Sequence, residues 1–209
     1  MRQPGRSRVV VVGAGNVGAA LGTNLLRLGH EVGFALRRGS ARPLPPGSSS
    51  LPLDGAGRAA DLVVLAAPFP AVEEVLPRLE LPPGALLVDA TNPFGRPLPA
   101  GYDSGAALVA DLAGPGVRVV KAFNVLGAEH MADPVLPDGQ RPLLPVAGDD
   151  PGARADVAAL ARDMGFHSVE VGDLSAAAVM ESAARYWGLL AHDGGLGRRF
   201  ALVACQRED

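Results

Sequence analysis

A glycine-rich turn, GAGNVG at residues 13–18, lies between the four valines at 9–12 and a stretch with helical periodicity. The valine run predicts a strand buried on both faces, and the spacing of the apolar residues after the turn predicts a helix. A G-x-G-x-x-G pattern in that setting is typical of a dinucleotide-binding turn. Gly13 would permit the tight bend, Gly15 would admit a pyrophosphate to the backbone, and Gly18 would let helix and strand pack closely. The plain alternative is a turn with no ligand.

Strands and helices alternate along the rest of the chain. Apolar runs predict strands at 31–36, 61–67, 85–90, 117–123, 143–147 and 168–171, with a short strand at 51–53. Helical periodicity predicts helices at about 70–79, 104–112, 151–164 and 174–191, the third of these capped by Asp150 with Pro151 in its first position. This order predicts an α/β fold with a doubly wound, mostly parallel Rossmann sheet. We expect residues 1–172 to form a dinucleotide-binding Rossmann domain and residues 173–209 a short C-terminal helical extension that covers a ligand crevice or meets the second subunit of a homodimer.

Composition excludes several classes of function. The net charge of −3 argues against nucleic acid as a partner. No apolar run reaches the ~18–20 residues that would span a membrane, and no secretory signal is visible. Cys205 is the one cysteine, which favours a reducing cytoplasm, and the four histidines are dispersed, so we expect no metal site. The expected partner is a small-molecule cofactor or acceptor.

The end of the second predicted strand indicates which dinucleotide would bind. An acidic residue there accepts hydrogen bonds from the ribose of NAD, whereas arginine accommodates the 2′-phosphate of NADP. Here the strand ends at Arg37 and Arg38, with Ser40 close behind. The planar arginine fork matches phosphate oxygens and stays charged. The sequence therefore predicts NADP(H), the alternative being two solvated surface arginines.

Three segments leave the carboxyl ends of predicted strands, where ligands of this fold bind. They are Ala67 to Phe69, Asp89 to Pro93, and Lys121 to Asn124. Thr91 and Asn92 have side chains that bond a carboxamide or a ribose, while Asp89 is expected to orient a neighbour or cap the turn. No acid–base pair stands out. Hydride transfer between two rings needs alignment more than a general acid, whereas reduction of a carbonyl or imine usually wants a proton donor.

Taken in order, the motifs resemble those of the coenzyme F420-dependent NADP reductase family over roughly residues 8–202. They are GAGNVG, the paired arginines at 37–38, VDATNP, VVKAFN, VAGDD and GGLGRRF. Relatives in that family include small F420:NADP reductases and the reductase domain of the STEAP metalloreductases, which carries electrons from NADPH to a flavin. The chain departs from the archaeal enzymes at Leu36, where they have serine, and at Asn124, where they tend to have histidine. The acceptor is therefore left open between F420 and FMN or FAD.

The resemblance implies a role for each candidate site residue. Gly13, Gly15, Asn16, Val17 and Gly18 would contact the pyrophosphate, and Arg37 and Arg38 the ribose phosphate, with Ser40 replacing the missing serine. Pro68 and Asn92 would flank the nicotinamide side, and Ala67 and Thr91 beside them are further candidate cofactor-binding residues. Ala122, Phe123 and Asn124 would form the hydride-transfer environment. Apart from the resemblance, Lys121 is a candidate cofactor-binding residue, and Lys121 and the pair Arg198 and Arg199 are candidates for neutralising acceptor phosphates or for structural salt bridges.

Two other functions remain open from the residues. One is an NADPH-dependent reductase of a small imine or ketone, as in the wider group that contains pyrroline-5-carboxylate reductase. The other is a non-enzymatic NADPH-binding redox sensor. Its partner would meet a stripe at helical spacing on the last helix, formed by Val179, Ala183, Trp187 and Leu190.

Overall fold

A computed structural model describes residues 6–40 and 42–207 of the chain. Its strands are β1 (Arg8–Val12), β2 (Glu31–Leu36), β3 (Ser49–Pro52), β4 (Leu62–Leu65), β5 (Leu86–Asp89), β6 (Arg118–Lys121), β7 (Leu143–Gly148) and β8 (His167–Gly172). Its α-helices are α1 (Asn16–Arg27), α2 (Val72–Leu79), α3 (Gly105–Ala113), α4 (Pro151–Asp163) and α5 (Ala177–His192). Short 3-10 turns occur at Phe69–Ala71, Ala128–His130 and Leu174–Ala176.

All of these strands form one sheet in the order β3-β2-β1-β4-β5-β6-β7-β8. Neighbouring strands run parallel except β6 and β7, which are antiparallel. The predicted doubly wound, mostly parallel sheet is confirmed. The chain moves outward from β1 to β3 and then returns to β4 on the other side of β1, so the strand order reverses between β1 and β4. Ligands of such sheets bind at the carboxyl side of that point, and the glycine turn follows β1 there.

Two apolar layers cover the faces of the sheet, which explains the unbroken valine run in β1. Val9 and Val11 face the layer that contains Leu21 of α1. Val10 and Val12 face the opposite layer, which contains Leu76 of α2. A strand covered on both faces has no solvent side, so polar residues do not alternate along it.

Local capping residues set the helix boundaries much as predicted. Asp150 caps α4 by accepting a hydrogen bond of 2.6 Å from the amide of Ala153, and Pro151 is the first helical residue. Gly29 was the expected terminus of α1. It lies one residue beyond the cap at Leu28, with a φ of 87° that favours glycine. The short strand predicted at 51–53 occurs at Ser49–Pro52, where it pairs in parallel with β2.

The C-terminal helix α5 packs into the body of the molecule. Its buried residues are Ala177, Met180, Glu181, Ala184, Trp187 and Ala191. The predicted interaction stripe does not form one exposed surface, because Trp187 is buried whereas Val179 is exposed. The prediction of a partner face along these residues is therefore wrong. After α5 the chain returns to the sheet, where the amide of Leu143 donates to the carbonyl of Leu202 at 2.8 Å. Within the described residues, no helix combines the length and apolar character needed to cross a bilayer.

Candidate functional site

A cleft of about 750 Å³ opens at the carboxyl ends of β1, β2 and β4. Most of the predicted cofactor-binding residues line it, namely Gly13, Gly15, Asn16, Val17, Arg37, Arg38, Ser40, Ala67 and Pro68. The cleft is also lined by Arg42, Ala128 and Arg198. The cleft thus gathers the glycine turn, the arginines after β2 and the end of β4 at the reversal of strand order.

At each of the three glycine positions of the turn, a different steric or binding requirement explains why glycine is present. Gly13 has a φ of 101°, and a Cβ there would lie 3.0 Å from the carbonyl oxygen of Ala66. A Cβ on Gly18 would lie 2.1 Å from the carbonyl oxygen of Gly13, so α1 can approach the turn only without a side chain at this position. Gly18 is buried and does not line the cleft, so the structure gives it the packing role rather than the pyrophosphate contact. A Cβ on Gly15 would meet no atom within 4 Å, which leaves its backbone bare and approachable.

The N-terminus of α1 faces this cleft without a cap of its own. Gly15 is the N-cap residue and has no side chain to accept from the first amides, and the first turn contains no acidic residue. The first amides of a helix have no partner within the helix, and the helix dipole adds partial positive charge. Asn16 and Val17 therefore present an uncapped helix end to the cleft, which is the arrangement that binds a diphosphate.

Arginines form the cleft wall after β2. The side chain of Arg37 is 59% exposed, and its Nη1 lies 3.5 Å from Oε2 of Glu74 on α2. Arg38 acts on a second carboxylate, that of Asp54. The pKa of Asp54 is held below its ordinary value mainly by a hydrogen bond from Arg78, with a smaller contribution from the charge of Arg38. This end of the cleft carries an excess of positive charge that suits a phosphate monoester.

Beyond the cleft residues at the end of β4, the turn after the neighbouring strand β5 is held in place by Asp89. One carboxylate oxygen of Asp89 accepts from the amide of Thr91 at 2.9 Å and from its hydroxyl at 2.7 Å. The expected structural role of Asp89 is confirmed. Thr91 is buried, and its hydroxyl group donates its hydrogen to Asp89. The hydroxyl therefore cannot donate to a ligand, contrary to the prediction from the sequence.

Asn92 and Asn124 form a pair at the ends of β5 and β6. The Nδ2 of Asn92 donates to the backbone carbonyl of Asn124 at 2.8 Å, and the Nδ2 of Asn124 donates to Oδ1 of Asn92 at 3.0 Å. Asn124 is 5% exposed, and its own Oδ1 has no partner among the described residues. Neither asparagine is among the residues that line the cleft, although β5 is the neighbour of β4, whose end does so.

The side chain of Phe123 is not part of the cleft. Its ring packs edge-on against Phe166, with 5.7 Å between the ring centroids, inside the hydrophobic core. The residue has a φ of 61°, an uncommon conformation for a residue other than glycine, so the chain turns sharply there. Ala122 is also fully buried. The prediction that these two side chains surround the hydride-transfer site is therefore wrong, and only Asn124 of the three carries a polar group at this end.

Lys121 lies in the interior, and its predicted contact with cofactor or acceptor phosphates is wrong. Its side chain has no exposed surface, and Nζ donates to Oδ2 of Asp89 at 2.9 Å, to the carbonyl of Thr91 at 2.7 Å and to Oε1 of Glu181 at 2.9 Å. Three donors meet three acceptors, so none is left for a ligand. The alternative expectation of a structural salt bridge is what the structure shows.

Glu181 on α5 is the functional candidate that sequence reasoning missed. Besides Lys121, its carboxylate accepts from the amides of Gly105 and Ala106 at 2.9 and 3.1 Å, at the N-terminus of α3. Asp89 and Lys121 end neighbouring strands at paired positions, so their contact follows from the register. Glu181 lies 60 residues beyond Lys121 in the sequence. No local sequence pattern indicates that the two side chains are in contact.

The C-terminal segment contributes Arg198 to the mouth of the cleft. Its Nε donates to Oε1 of Glu129 at 2.8 Å, and its guanidinium lies 5.5 Å from the ring centroid of Trp187. Trp187 in turn stacks on Phe200 at 5.3 Å. Burial alone would raise the pKa of Glu129, but the hydrogen bond from Arg198 and nearby charges hold it below its ordinary value. Arg199 is exposed and does not line the cleft.

The ionisable side chains that line the cleft, within the part of the chain that the structure describes, are all arginines: Arg37, Arg38, Arg42 and Arg198. Arginine keeps its proton throughout the physiological range. Across residues 6–40 and 42–207, no cluster of histidine, cysteine or carboxylate residues could hold a metal ion. The cleft can bind and orient an anionic ligand, and none of these described lining groups exchanges protons near neutral pH.

Comparison with known proteins gives three findings. Residues 8–93 match the family model described as NADP oxidoreductase, coenzyme F420-dependent. A crystal structure of a putative F420-dependent NADP-reductase from Arthrobacter sp. FB24 is 28% identical, superposes with a TM-score of 0.80, and is matched over 92% of this chain and 96% of its own. Metalloreductase STEAP3 of Rattus norvegicus is 38% identical over 100 residues, which are 47% of this chain but 20% of that protein. The chain thus corresponds to about a fifth of this curated relative.

A more distant structure shows the same fold alone. A reductive aminase from Aspergillus terreus, solved in complex with NADPH and ethyl levulinate, is 21% identical with a TM-score of 0.65, and the match covers 91% of this chain and 63% of that one. The first two matches agree with the order of the motifs and with the arginine-lined cleft. Residues 8–93 thus resemble the F420-dependent NADP oxidoreductase family, and the fold as a whole is similar to that of a putative reductase of this kind.

Proposed function

We propose that this protein binds NADP(H) in the cleft and exchanges hydride with a deazaflavin (F420) or a flavin (FMN or FAD). The observation that carries the proposal is the makeup of the cleft wall, in which the described ionisable residues are arginines. Reduction of a ketone or imine needs a group that supplies a proton to the product. Transfer between two rings needs them to lie about 3–3.5 Å apart, in line, with water excluded.

The residues of the cleft fit NADP(H) from one end to the other. The open space above Gly15 and the uncapped end of α1 suit the diphosphate, and the arginine wall at Arg37 and Arg38 suits the 2′-phosphate. Pro68 closes the end of β4, where the nicotinamide would lie. The bound coenzyme would supply hydride, that is two electrons and one proton, and an acceptor ring takes any second proton from water.

The protein's own contribution is binding and orientation. The glycine turn and arginines would anchor the coenzyme far from its reactive carbon, so that binding energy fixes the angle of the nicotinamide ring. The apolar side chains near Ala67 and Pro68 leave that ring without a competing hydrogen-bond partner. Arg198 at the mouth places a positive charge where the phosphates of an acceptor would approach.

Anaerobic stopped-flow mixing of the protein and NADPH with F420, FMN or FAD tests this function. We expect at least one acceptor to lose its visible absorbance as NADPH is consumed, and the double variant with Arg37→Ala and Arg38→Ala to need much more NADPH for the same rate. Absence of reduction of all three acceptors would refute the proposal. Turnover of a cyclic imine without any flavin would replace it with the imine reductase alternative, and tight NADPH binding without any turnover would favour the redox sensor.

We propose in addition that the protein acts as a homodimer in the cytoplasm. Val179, Tyr186 and Leu189 are exposed apolar side chains on α5, a surface that a second copy would bury. The single cysteine, Cys205, is exposed and free, which fits a reducing compartment. Light scattering coupled to size-exclusion chromatography gives the mass directly. We expect about twice the chain mass of 21.3 kDa, and a monomer would contradict the proposal.

A further inference from the structure

We propose that Lys121 and Glu181 are positioning residues for the nicotinamide end of the coenzyme. They would act through the paired asparagines Asn92 and Asn124, whose amides would receive the carboxamide of the nicotinamide. This inference rests on the proposed NADP(H) function. Neither charged residue touches the ligand, and both set where the amide pair stands.

The buried ion pairs join four separate parts of the chain. Nζ of Lys121 reaches Asp89 on β5 and Glu181 on α5, each at 2.9 Å, and Glu181 also caps the N-terminus of α3 through two amides. One ammonium faces two carboxylates, and the amides of α3 offset the second negative charge. A group of charges without solvent holds its geometry closely, because any displacement leaves a buried charge without a partner.

Each asparagine is linked to this network through a backbone carbonyl. The carbonyl of Thr91, immediately before Asn92, accepts from Nζ of Lys121 at 2.7 Å. The carbonyl of Met180, immediately before Glu181, accepts from Nδ2 of Asn124 at 3.2 Å. A shift of α5 or of the turn after β5 would therefore move the two amides relative to each other.

The amide of Asn124 points to the chemistry of its ligand. Its nitrogen faces two oxygen acceptors, Oδ1 of Asn92 and the carbonyl of Met180, so the alternative orientation of the amide would set oxygen against oxygen. The remaining oxygen, Oδ1, is buried and has no partner among the described residues. A buried acceptor without a donor is unfavourable. A primary carboxamide, such as that of nicotinamide, offers the missing N–H groups.

Lysine suits this position better than arginine. Its ammonium is a compact charge with three donors, whereas the arginine fork is planar and larger. The other lysine-or-arginine positions of the chain all hold arginine, whereas Lys121 occupies a site where three acceptors converge on one nitrogen.

Two ligands separate positioning from general stability. Calorimetry would measure the Kd of NADPH and of adenosine 2′,5′-bisphosphate, which has the arginine-binding phosphate and lacks the nicotinamide. For Glu181→Gln we expect the Kd of NADPH to rise about tenfold, the size of one weakened hydrogen bond, and that of the bisphosphate to stay unchanged. Glu170→Gln, a matched change at a partly exposed ion pair with Arg154, should alter neither Kd.

A double-mutant cycle with Asn124→Ala tests whether Glu181 acts through the amide pair. We expect Asn124→Ala alone to weaken NADPH selectively, and Glu181→Gln to add little in that background. An equal loss for both ligands, or a full additional loss in the double variant, would overturn the inference. If Glu181→Gln does not fold, Asn124→Ala decides alone: an unchanged Kd for NADPH overturns the inference. Wild-type protein that binds neither ligand would instead refute the proposed function.

Discussion

The arginine end of the cleft and the buried region around Asn92 and Asn124, called the asparagine end although neither residue lines the cleft, are built in opposite ways. The arginine end is open to solvent and comes from two short stretches, the turn at 13–18 and the loop that begins at Arg37. The asparagine end is buried and combines residues of β5, β6 and α5 that lie up to 92 positions apart, from Asp89 to Glu181. Exposed charges attract an anionic ligand, and salt screens that attraction. Buried charges hold a fixed geometry, because removing one partner of a buried ion pair is strongly destabilising. Affinity and alignment are thus carried by different parts of the molecule.

The buried end should show the largest effect on stability. The substitution Lys121→Met leaves Asp89 and Glu181 without their cation. We expect it to lower the free energy of unfolding by about 3–5 kcal/mol. Urea denaturation measures it. The control is Arg58→Gln at the exposed pair with Glu80, which should cost less than about 1 kcal/mol. Equal losses in the two variants would remove the contrast between the ends.

The open end should show the largest effect on cofactor choice. We expect Arg38→Ala to weaken NADPH binding by about 1.5–3 kcal/mol, the value of a hydrogen bond to a charged group, and to leave NADH unaffected. Glu74→Gln should have the opposite sign, because it frees Arg37 from its ion pair. Fluorescence titration at low and high salt gives both constants. A parallel loss for NADH would show that Arg38 does not read the 2′-phosphate.

Within the glycine turn, two alanine substitutions should separate folding from binding. Gly18→Ala places a methyl group 2.1 Å from the carbonyl of Gly13, and we expect it to destabilise the fold by about 1–3 kcal/mol. Gly15→Ala meets no protein atom within 4 Å, so its melting temperature should stay near that of the wild type while NADPH binding falls. Thermal unfolding and titration of both variants check this. Unchanged NADPH affinity in Gly15→Ala would place the diphosphate elsewhere.

The smallest effect concerns pH and the ion pair at the cleft mouth. The pKa of Glu129 is lowered in the folded protein, so its pair with Arg198 contributes stability above the unfolded pKa and loses it as the pH falls through the folded value. Both groups are partly exposed, so we expect Glu129→Gln to cost less than about 1 kcal/mol at neutral pH. Melting curves of the two proteins should converge in acid. Curves that stay parallel at all pH values would contradict this.

The contrast between the ends also explains what the sequence could predict. The turn at 13–18 and the strand end at Arg37 are local patterns whose chemistry follows from a few adjacent residues. The fold follows from the same periodicities, and strand boundaries differ from those expected by one or two residues at most positions.

The errors lie at the buried end. Lys121, Thr91 and Phe123 were predicted to approach the ligand because they end strands on the correct side of the sheet. Burial by α5 and the turn at Phe123 direct these groups inward, and the partner responsible, Glu181, lies in a helix with no local link to them. Long-range packing of this kind leaves no signal within a short window of sequence.

The most direct test of the account is the pH dependence of the hydride step in a single turnover. The protein would be mixed anaerobically with its acceptor and with either unlabelled or 4-deuterated NADPH, over the physiological range of pH. We expect a primary isotope effect and a rate that follows only the acceptor's own titration, because arginine does not titrate there. A rate governed by a further ionisation of the protein near neutral pH would contradict a cleft that transfers hydride without a proton donor.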